Sequence, residues 1–318
     1  MPRIKEGIMK RLVTRSDFDG LVCAMLLKEL NMIEEIKFVH PKDVQDGKVE
    51  LSENDITTNL PFDKRVGLAF DHHESELLRN KPEDFEGKYI IDGHAKSAAR
   101  VVYDYYGGAK TFTRVSEEIM WAVDKGDSAD FTVDEILNPT GWVLMNFLMD
   151  ARTGLGRFHN FRISNYALMM ELITYCVDHT IEEVLALPDV KERVDLYFEQ
   201  QELFKEQLRQ ITRIEGKVAV IDLREQETIY AGNCFMVYAM WPETELSMHV
   251  AWGFRKQNTA VMIGKSIVNK NSTFNIGELC LSYGGGGHAN AGTCQLDNDK
   301  VDAELPVILD KLNGKIPV

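Results

Sequence analysis

The sequence predicts an α/β protein with an N-terminal parallel sheet, a helical connector and a smaller C-terminal α/β domain. Three observations carry that prediction. Short apolar runs alternate with helical patterns through the first hundred residues, the order of a mostly parallel sheet covered on both faces. A long charged amphipathic stretch follows near residue 190. Beyond Gly216 the texture returns to strands, so the expected domains are 1–187 and 215–318, joined by a connector over 188–214.

The first run, Ile8 to Val13, precedes the acidic turn Asp17-Phe18-Asp19-Gly20. Leu21, Val22, Met25, Leu26 and Leu30 then recur at helical spacing, with Gly20 as a bend at the helix entrance. Ile36–Val39 and Ile56–Leu60 read as short strands. Val66–Phe70 reads as a buried strand that ends on Asp71-His72-His73, and Tyr89–Ile91 as another that leads to Asp92. A helix is expected from about Ala95 to Tyr106, stopped by Gly107-Gly108, and a further one from Val115 into Asp124-Lys125-Gly126-Asp127. Residues 136–187 are mostly helical in pattern, and Pro188 breaks them. From Val190 to Ile214 the stripe Val190, Val194, Tyr197, Phe204, Leu208 and Ile211 predicts a solvated connecting helix. Val218–Asp222, Met248–Phe254 and Thr259–Ile263 are the expected strands of the second domain.

Composition narrows the partners. Hydrophobic residues make up 44% of the 318 and charged residues 27%, an ordinary globular balance. With 36 Lys and Arg against 50 Asp and Glu, the formal charge is −14, which disfavours duplex DNA but admits a small anion in a local pocket. Five cysteines without a C-x-x-C pair point to a reducing, cytoplasmic setting. No apolar run approaches a membrane span and no signal-peptide core is present, so no membrane partner is expected.

Chemistry concentrates at three motifs. Asp17-x-Asp19, taken alone, is more readily a helix cap than a metal site. Asp71-His72-His73 is harder to explain that way, because adjacent histidines after an apolar strand are unusual in cores. Neutral imidazole suits Mn²⁺, Fe²⁺ or Zn²⁺, and a neighbouring carboxylate fixes its tautomer. The run Gly284–Gly287 with His288 offers backbone N–H groups that can approach phosphate closely. Gly264-Lys265-Ser266 copies the end of a Walker loop, but Thr259 stands where the first glycine belongs.

Together these motifs resemble the DHH/DHHA1 phosphoesterase superfamily, which includes RecJ-like exonucleases, nano-RNases, cyclic-dinucleotide phosphodiesterases and exopolyphosphatase-like proteins. The likeness spans nearly the whole chain. Asp71-His72-His73 matches the naming motif, Ile91-Asp92-Gly93-His94-Ala95-Lys96-Ser97-Ala98 the segment after it, and Gly285-Gly286-Gly287-His288-Ala289-Asn290-Ala291-Gly292 the second-domain signature. The resemblance implies a DHH domain and a DHHA1 domain that closes over the cleft, with the connector as hinge. It implies metal-dependent hydrolysis of small phosphate-containing substrates: short single-stranded oligonucleotides, nucleotide bisphosphates, cyclic dinucleotides or polyphosphate.

Carried over by residue, Asp17 and Asp19 resemble ligands of two separate Mn²⁺ ions, with Mg²⁺ or Co²⁺ as alternatives. His72 is similar to a ligand of the second ion and His73 to a phosphate contact, beside Asp71. Asp124 matches the last acidic ligand, with Asp127 as runner-up. Gly285, Gly286, Gly287 and His288, helped by Lys265 and Ser266, resemble the substrate-binding set. Two departures stand out: Val13 replaces a family histidine, and Asn59 replaces a bridging aspartate. A neutral amide bridges two dications poorly, so one firm and one weak metal site are expected, unless Asp55 or Asp63 compensates. The alternative is a non-catalytic nucleotide- or phosphate-binding protein with a degraded two-metal centre. The helical 136–187 region is compatible with a homodimer.

Overall fold

The computed structural model describes residues 10–77, 80–85 and 87–317. Ile8 and Met9, assigned to the first strand by their apolar character, lie outside the described residues. The chain divides into two compact units, one of residues up to Asp130 with Thr140–Asp195, the other of Phe131–Pro139 with everything from Leu196 onward. Among the described residues, no helix is long and apolar enough to cross a membrane.

The first unit holds a five-stranded sheet of β1 (Lys10–Arg15), β2 (Ile33–Val39), β3 (Asp55–Thr58), β4 (Leu68–Asp71) and β5 (Tyr89–Ile91). Their order is β2-β1-β3-β4-β5, and every pairing is parallel. All strands therefore end on one edge, and the segments after β1, β3, β4 and β5 share it. That edge receives Asp17, Asn59, His72-His73 and Asp92.

Helix α1 (Phe18–Glu29) departs from the one-sided helix expected. Every residue from Phe18 to Leu27 is buried, because helices α2 (Ala98–Tyr105), α3 (Glu117–Asp127), α4 (Gly141–Met149) and α5 (Asn165–Tyr175) pack around it. A helix apolar on all sides is a core helix. Fully burying each Leu, Val or Met in this segment contributes roughly 1.5–3 kcal/mol. Gly20 is needed for closeness rather than bending: a Cβ there would stand 2.0 Å from the Arg15 carbonyl oxygen. Nothing larger lets α1 start so near the end of β1.

Helix α6 (Pro188–Ile211) also corrects an expectation. The preceding pattern does break here, its last helix ending at Ala186, and Pro188 also opens α6, as suits a residue without an N–H in a first turn. The helix is not merely a solvated connector. In the first unit, Arg193 is 2% exposed and donates to the Asp189 and Ile163 carbonyls and to Asn165. In the second unit, buried Gln200 accepts from Ala231 N–H, and Gln207 donates to the Thr228 carbonyl. Sequence periodicity missed this because the buried stripe is partly polar.

The second unit holds a mixed sheet of β6 (Thr212–Glu215), β7 (Val218–Asp222), β8 (Leu246–Trp252), β9 (Thr259–Lys265), β10 (Gly286–His288) and β11 (Ala291–Leu296). Its order is β10-β11-β9-β8-β7-β6, with only β7 and β8 parallel. Helices α7 (Ile276–Ser282) and α8 (Val301–Leu312) supply Ile276, Leu279, Ile308 and Leu312 to a core with Val220, Met248, Val261 and Ile263. The sequence motif read as a phosphate-approaching loop is thus largely a strand. Gly286–His288 is an exposed edge strand, paired antiparallel to Ala291–Thr293.

Candidate metal centre

Four segments at the carboxyl edge of the parallel sheet build the centre. Asp17 is the N-cap of α1: its Oδ1 accepts from Gly20 N–H at 2.9 Å. Arg15 Nε sits 3.0 Å from its Oδ2, and Asn59 Nδ2 lies 3.3 Å from both oxygens. Burial raises its pKa, with Arg15 working the other way. The bland reading of this turn as a cap is therefore realised for Asp17, whose carboxylate is already largely engaged.

Asp19 is different. It is 1% exposed and points across to α2, where the N–H groups of Ala98 and Ala99 donate to it at 3.0 and 2.8 Å. Those are unpaired donors of a helix N-terminus, favourable to an anion. Cys23 Sγ donates at 3.8 Å. A carboxylate has about four lone-pair sites, so one is left for a further partner. Burial first, then repulsion from Asp127, pushes the pKa of Asp19 up to about 7.

From β4 the chain delivers Asp71 buried and the two imidazoles half-buried. Asp71 Oδ1 lies 2.7 Å from His73 Nδ1, which directs His73 Nε2 outward; Asp71 is a positioning residue in this geometry. Burial disfavours the charged form of His73, but Asp71 outweighs it and raises the pKa. His72 Nε2 lies 2.8 Å from Asp127 Oδ2, yet it is buried and makes no aligned hydrogen bond. Burial opposes its protonation, while Asp127, Asp19 and Asp71 hold its pKa up at about 9. The pKa of Asp127 is correspondingly lowered by His72 against the effect of burial.

Ligand atoms of Asp19, His72 and Asp127 all lie within 4.8 Å of one another. Two carboxylates and one imidazole, with an orphaned buried Nε2 among them, fit a divalent cation of the Mn²⁺, Fe²⁺ or Zn²⁺ kind. Asp71, His72 and His73 are equally close. That second group is a carboxylate–imidazole pair, Asp71 Oδ1 with His73 Nδ1, with His72 beside it, and Asp71 Oδ2 is buried without a partner.

Asp124 is not brought to this cluster. Ser97 Oγ donates to it at 2.8 Å, and Arg100 Nε and Nη2 at 2.9 and 2.7 Å. One turn further along α3, Asp127 occupies the place the motif match had given to Asp124. Ser97 is also the N-cap of α2, so Arg100 and Ser97 divert Asp124 while fixing the helix that holds Asp19. Arg15 and Arg100 had no motif of their own; the only sequence signal was their proximity to Asp17 and Ser97.

Neither Asp55 nor Asp63 is placed to compensate for Asn59. Asp55 is at the start of β3, bound by Arg11 at 2.7 Å and by Ser52, and Asp63 is bound by Arg65. Asn59 itself follows β3 with φ +54°, a left-handed conformation that Asn and Asp tolerate. Its Oδ1 is buried without a partner. Val13, where the family carries histidine, is fully buried and packs with Val44, Val49 and Leu60.

In the second unit, Ser266 does not present its hydroxyl to a ligand. Its Oγ accepts from Val268 and Asn269 N–H, closing a turn, and the residue is 4% exposed. Lys265 ends β9, and its N–H donates to the Asn290 carbonyl. Gly287 has φ +156°, and a Cβ on it would meet the Ala291 carbonyl oxygen at 2.3 Å, so the hairpin that carries His288 requires glycine there.

A parallel sheet that gathers two carboxylates and an imidazole pair at its carboxyl edge defines a metal-dependent phosphoesterase. Over 96% of its length the chain is 54% identical to a solved pGpG-specific phosphodiesterase, PggH from Vibrio cholerae, covering 99% of that protein with a TM-score of 0.81. The chain belongs to the DHH phosphoesterase family. Exonuclease RecJ bound to manganese is matched at 15% identity over 97% of this chain and 91% of that one, TM-score 0.48. CDC45 from Entamoeba histolytica is matched at 7% identity over 96% and 95%, also with a TM-score of 0.48. No protein-family model matches the chain, and no curated protein does.

Proposed function

We propose that this protein hydrolyses the single internal phosphodiester of pGpG, with a divalent cation, Mn²⁺ foremost, held by Asp19, His72 and Asp127. The observation that carries the substrate is the 54% identity, nearly end to end, with a phosphodiesterase specific for pGpG. Mn²⁺ is preferred over Mg²⁺ because an imidazole nitrogen shares the ligand set with carboxylates. When bound, the cation supplies Lewis-acid activation of water and neutralises charge developing on the phosphoryl group.

The protein's own residues do the rest. His73, turned outward by Asp71, donates from Nε2 to a non-bridging phosphate oxygen and so places phosphorus near Asp127. Ala98 and Ala99 N–H groups fix Asp19 and favour its ionised form, against the burial that raises its pKa. Water adds to phosphorus, the P–O3′ bond breaks, and a proton ends on the departing 3′ oxygen, releasing two molecules of 5′-GMP. For the second unit we assign phosphate contacts to Gly285 and the exposed strand Gly286–His288, on motif likeness, and none to Ser266. The five free cysteines support a cytoplasmic setting, and dimerisation stays an inference from the helical region alone.

The test is chromatographic detection of GMP from pGpG with Mn²⁺, with EDTA, and with Asp127→Ala protein. Mn²⁺-dependent release of two GMP per pGpG, lost in the variant, is the expected result. If folded, metal-loaded protein binds pGpG and leaves it intact, the binding-protein alternative takes its place.

A further inference from the structure

We infer that a cavity of about 180 Å³, lined by Lys96, Trp121, Asp124, Lys125 and Asp130, is a nucleobase subsite that receives one guanine of the substrate by stacking on Trp121. The inference rests on the proposed reaction on pGpG. Its first support is Trp121 itself, a large ring left 54% exposed on α3, while its neighbours Met120, Ala122 and Val123 are buried. A half-exposed indole is apolar area still open to a partner, and aromatic faces stack on bases for roughly 1–3 kcal/mol each.

Location is the second support. Trp121 precedes Asp127 by six residues on one helix, about 9 Å of axial rise at ~1.5 Å per residue. The two also differ by roughly 120° around the axis at ~3.6 residues per turn, and Asp124, which lines the cavity, lies between them on that helix. Lys96 comes from the segment after β5, on the same carboxyl edge of the sheet as the metal centre. The volume is below the roughly 300 Å³ at which whole drug-sized ligands begin to fit, so it suits a base and not a dinucleotide.

The chemistry of the walls is the third. Lys125 Nζ stands 5.3 Å from the Trp121 ring centroid, over one face, which leaves the opposite face for a base. Ammonium donors of Lys96 and Lys125 match the O6 and N7 acceptors of guanine. The carboxylate of Asp130 matches donors such as guanine N1–H and N2–H. Arg100 and Ser97 lock Asp124 in that wall, which gives the residue a role away from the cation. Trp121 is thus a specificity residue, distinct from the metal ligands.

The experiment compares wild-type, Trp121→Ala and Trp121→Phe full-length protein with Mn²⁺, on pGpG and on bis(p-nitrophenyl) phosphate, a diester without a base. Trp121→Ala is expected to raise KM for pGpG roughly 5- to 100-fold, the range of one lost stack. Its ratio of kcat/KM on pGpG to that on the base-free diester falls by a similar factor, and Trp121→Phe restores most of it. An unchanged ratio overturns the subsite, as does a change of oligomeric state in sedimentation that accounts for the loss, since Trp121 is then an interface residue. Failure of the parent reading looks different: wild-type protein hydrolyses the base-free diester and leaves pGpG intact.

Discussion

His72 Nε2 and Asp127 Oδ2 stand 2.8 Å apart without the alignment of a hydrogen bond. A cation that replaces the His72 proton would find both atoms, and a carboxylate oxygen of Asp19, within 4.8 Å of one another. A cation placed there relieves the buried orphan nitrogen and the repulsion that lifts the Asp19 pKa.

This geometry separates two aspartates one turn apart. Asp127→Ala should weaken Mn²⁺ binding by 100-fold or more in isothermal titration calorimetry. Asp124→Ala should leave Mn²⁺ affinity within about threefold, but should cost roughly 1–3 kcal/mol of stability by unpairing Arg100 and Ser97. The reverse ranking in calorimetry would restore Asp124 as the ligand.

Asp71 acts through His73. Asp71→Asn keeps the shape but removes the charge that orients the ring and favours its protonated form, so kcat on pGpG should fall about 10- to 100-fold, in the range of lost outer-shell partners. Mn²⁺ affinity should change much less than kcat. Equal losses in both would mean that Asp71 supports the cation and not the phosphate contact.

We propose that Asn59 limits how many cations are held. The backbone at φ +54° accepts aspartate without new strain, and Asp17 lies beside it. Asn59→Asp should raise bound Mn²⁺ per chain, by elemental analysis after desalting, from one towards two. Val13→His should not help: it puts an imidazole among Val44, Val49 and Leu60, and melting should occur at a clearly lower temperature. An unchanged metal count in Asn59→Asp would show that Asp17, held by Gly20 and Arg15, cannot turn to a second ion.

The pH dependence has a definite sign. In the metal-free protein His72 titrates at about 9 against 6.5 for a free imidazole, so its stabilisation is complete below about pH 6.5 and lost as pH rises towards 9. Asp19, lifted to about 7 from 3.8, acts in the same direction between those values, because the fold keeps a proton the unfolded chain releases. The melting temperature in EDTA should therefore decline from pH 6.5 to 9. Stabilisation by added Mn²⁺ should grow over the same interval, since the cation displaces those protons. A melting temperature in EDTA that is flat or rises across this range contradicts the assignment.

Alternating apolar runs, Asp71-His72-His73 and the glycine–histidine signature were enough to place the sheet, its functional edge and the family. These are local patterns, or spacings that chemistry dictates, and they survive without knowledge of contacts. The engagement of Asp124 by Ser97 and Arg100, the capture of Asp17 as a cap, the closed turn at Ser266 and the buried polar face of α6 are visible in tertiary structure alone. Each depends on which partner lies across a gap of dozens of residues: Arg100 for Asp124, Arg15 and Asn59 for Asp17, Ile163 and Asn165 for Arg193. A carboxylate's role follows from what already satisfies its lone pairs, and that is known only once the chain has folded around it.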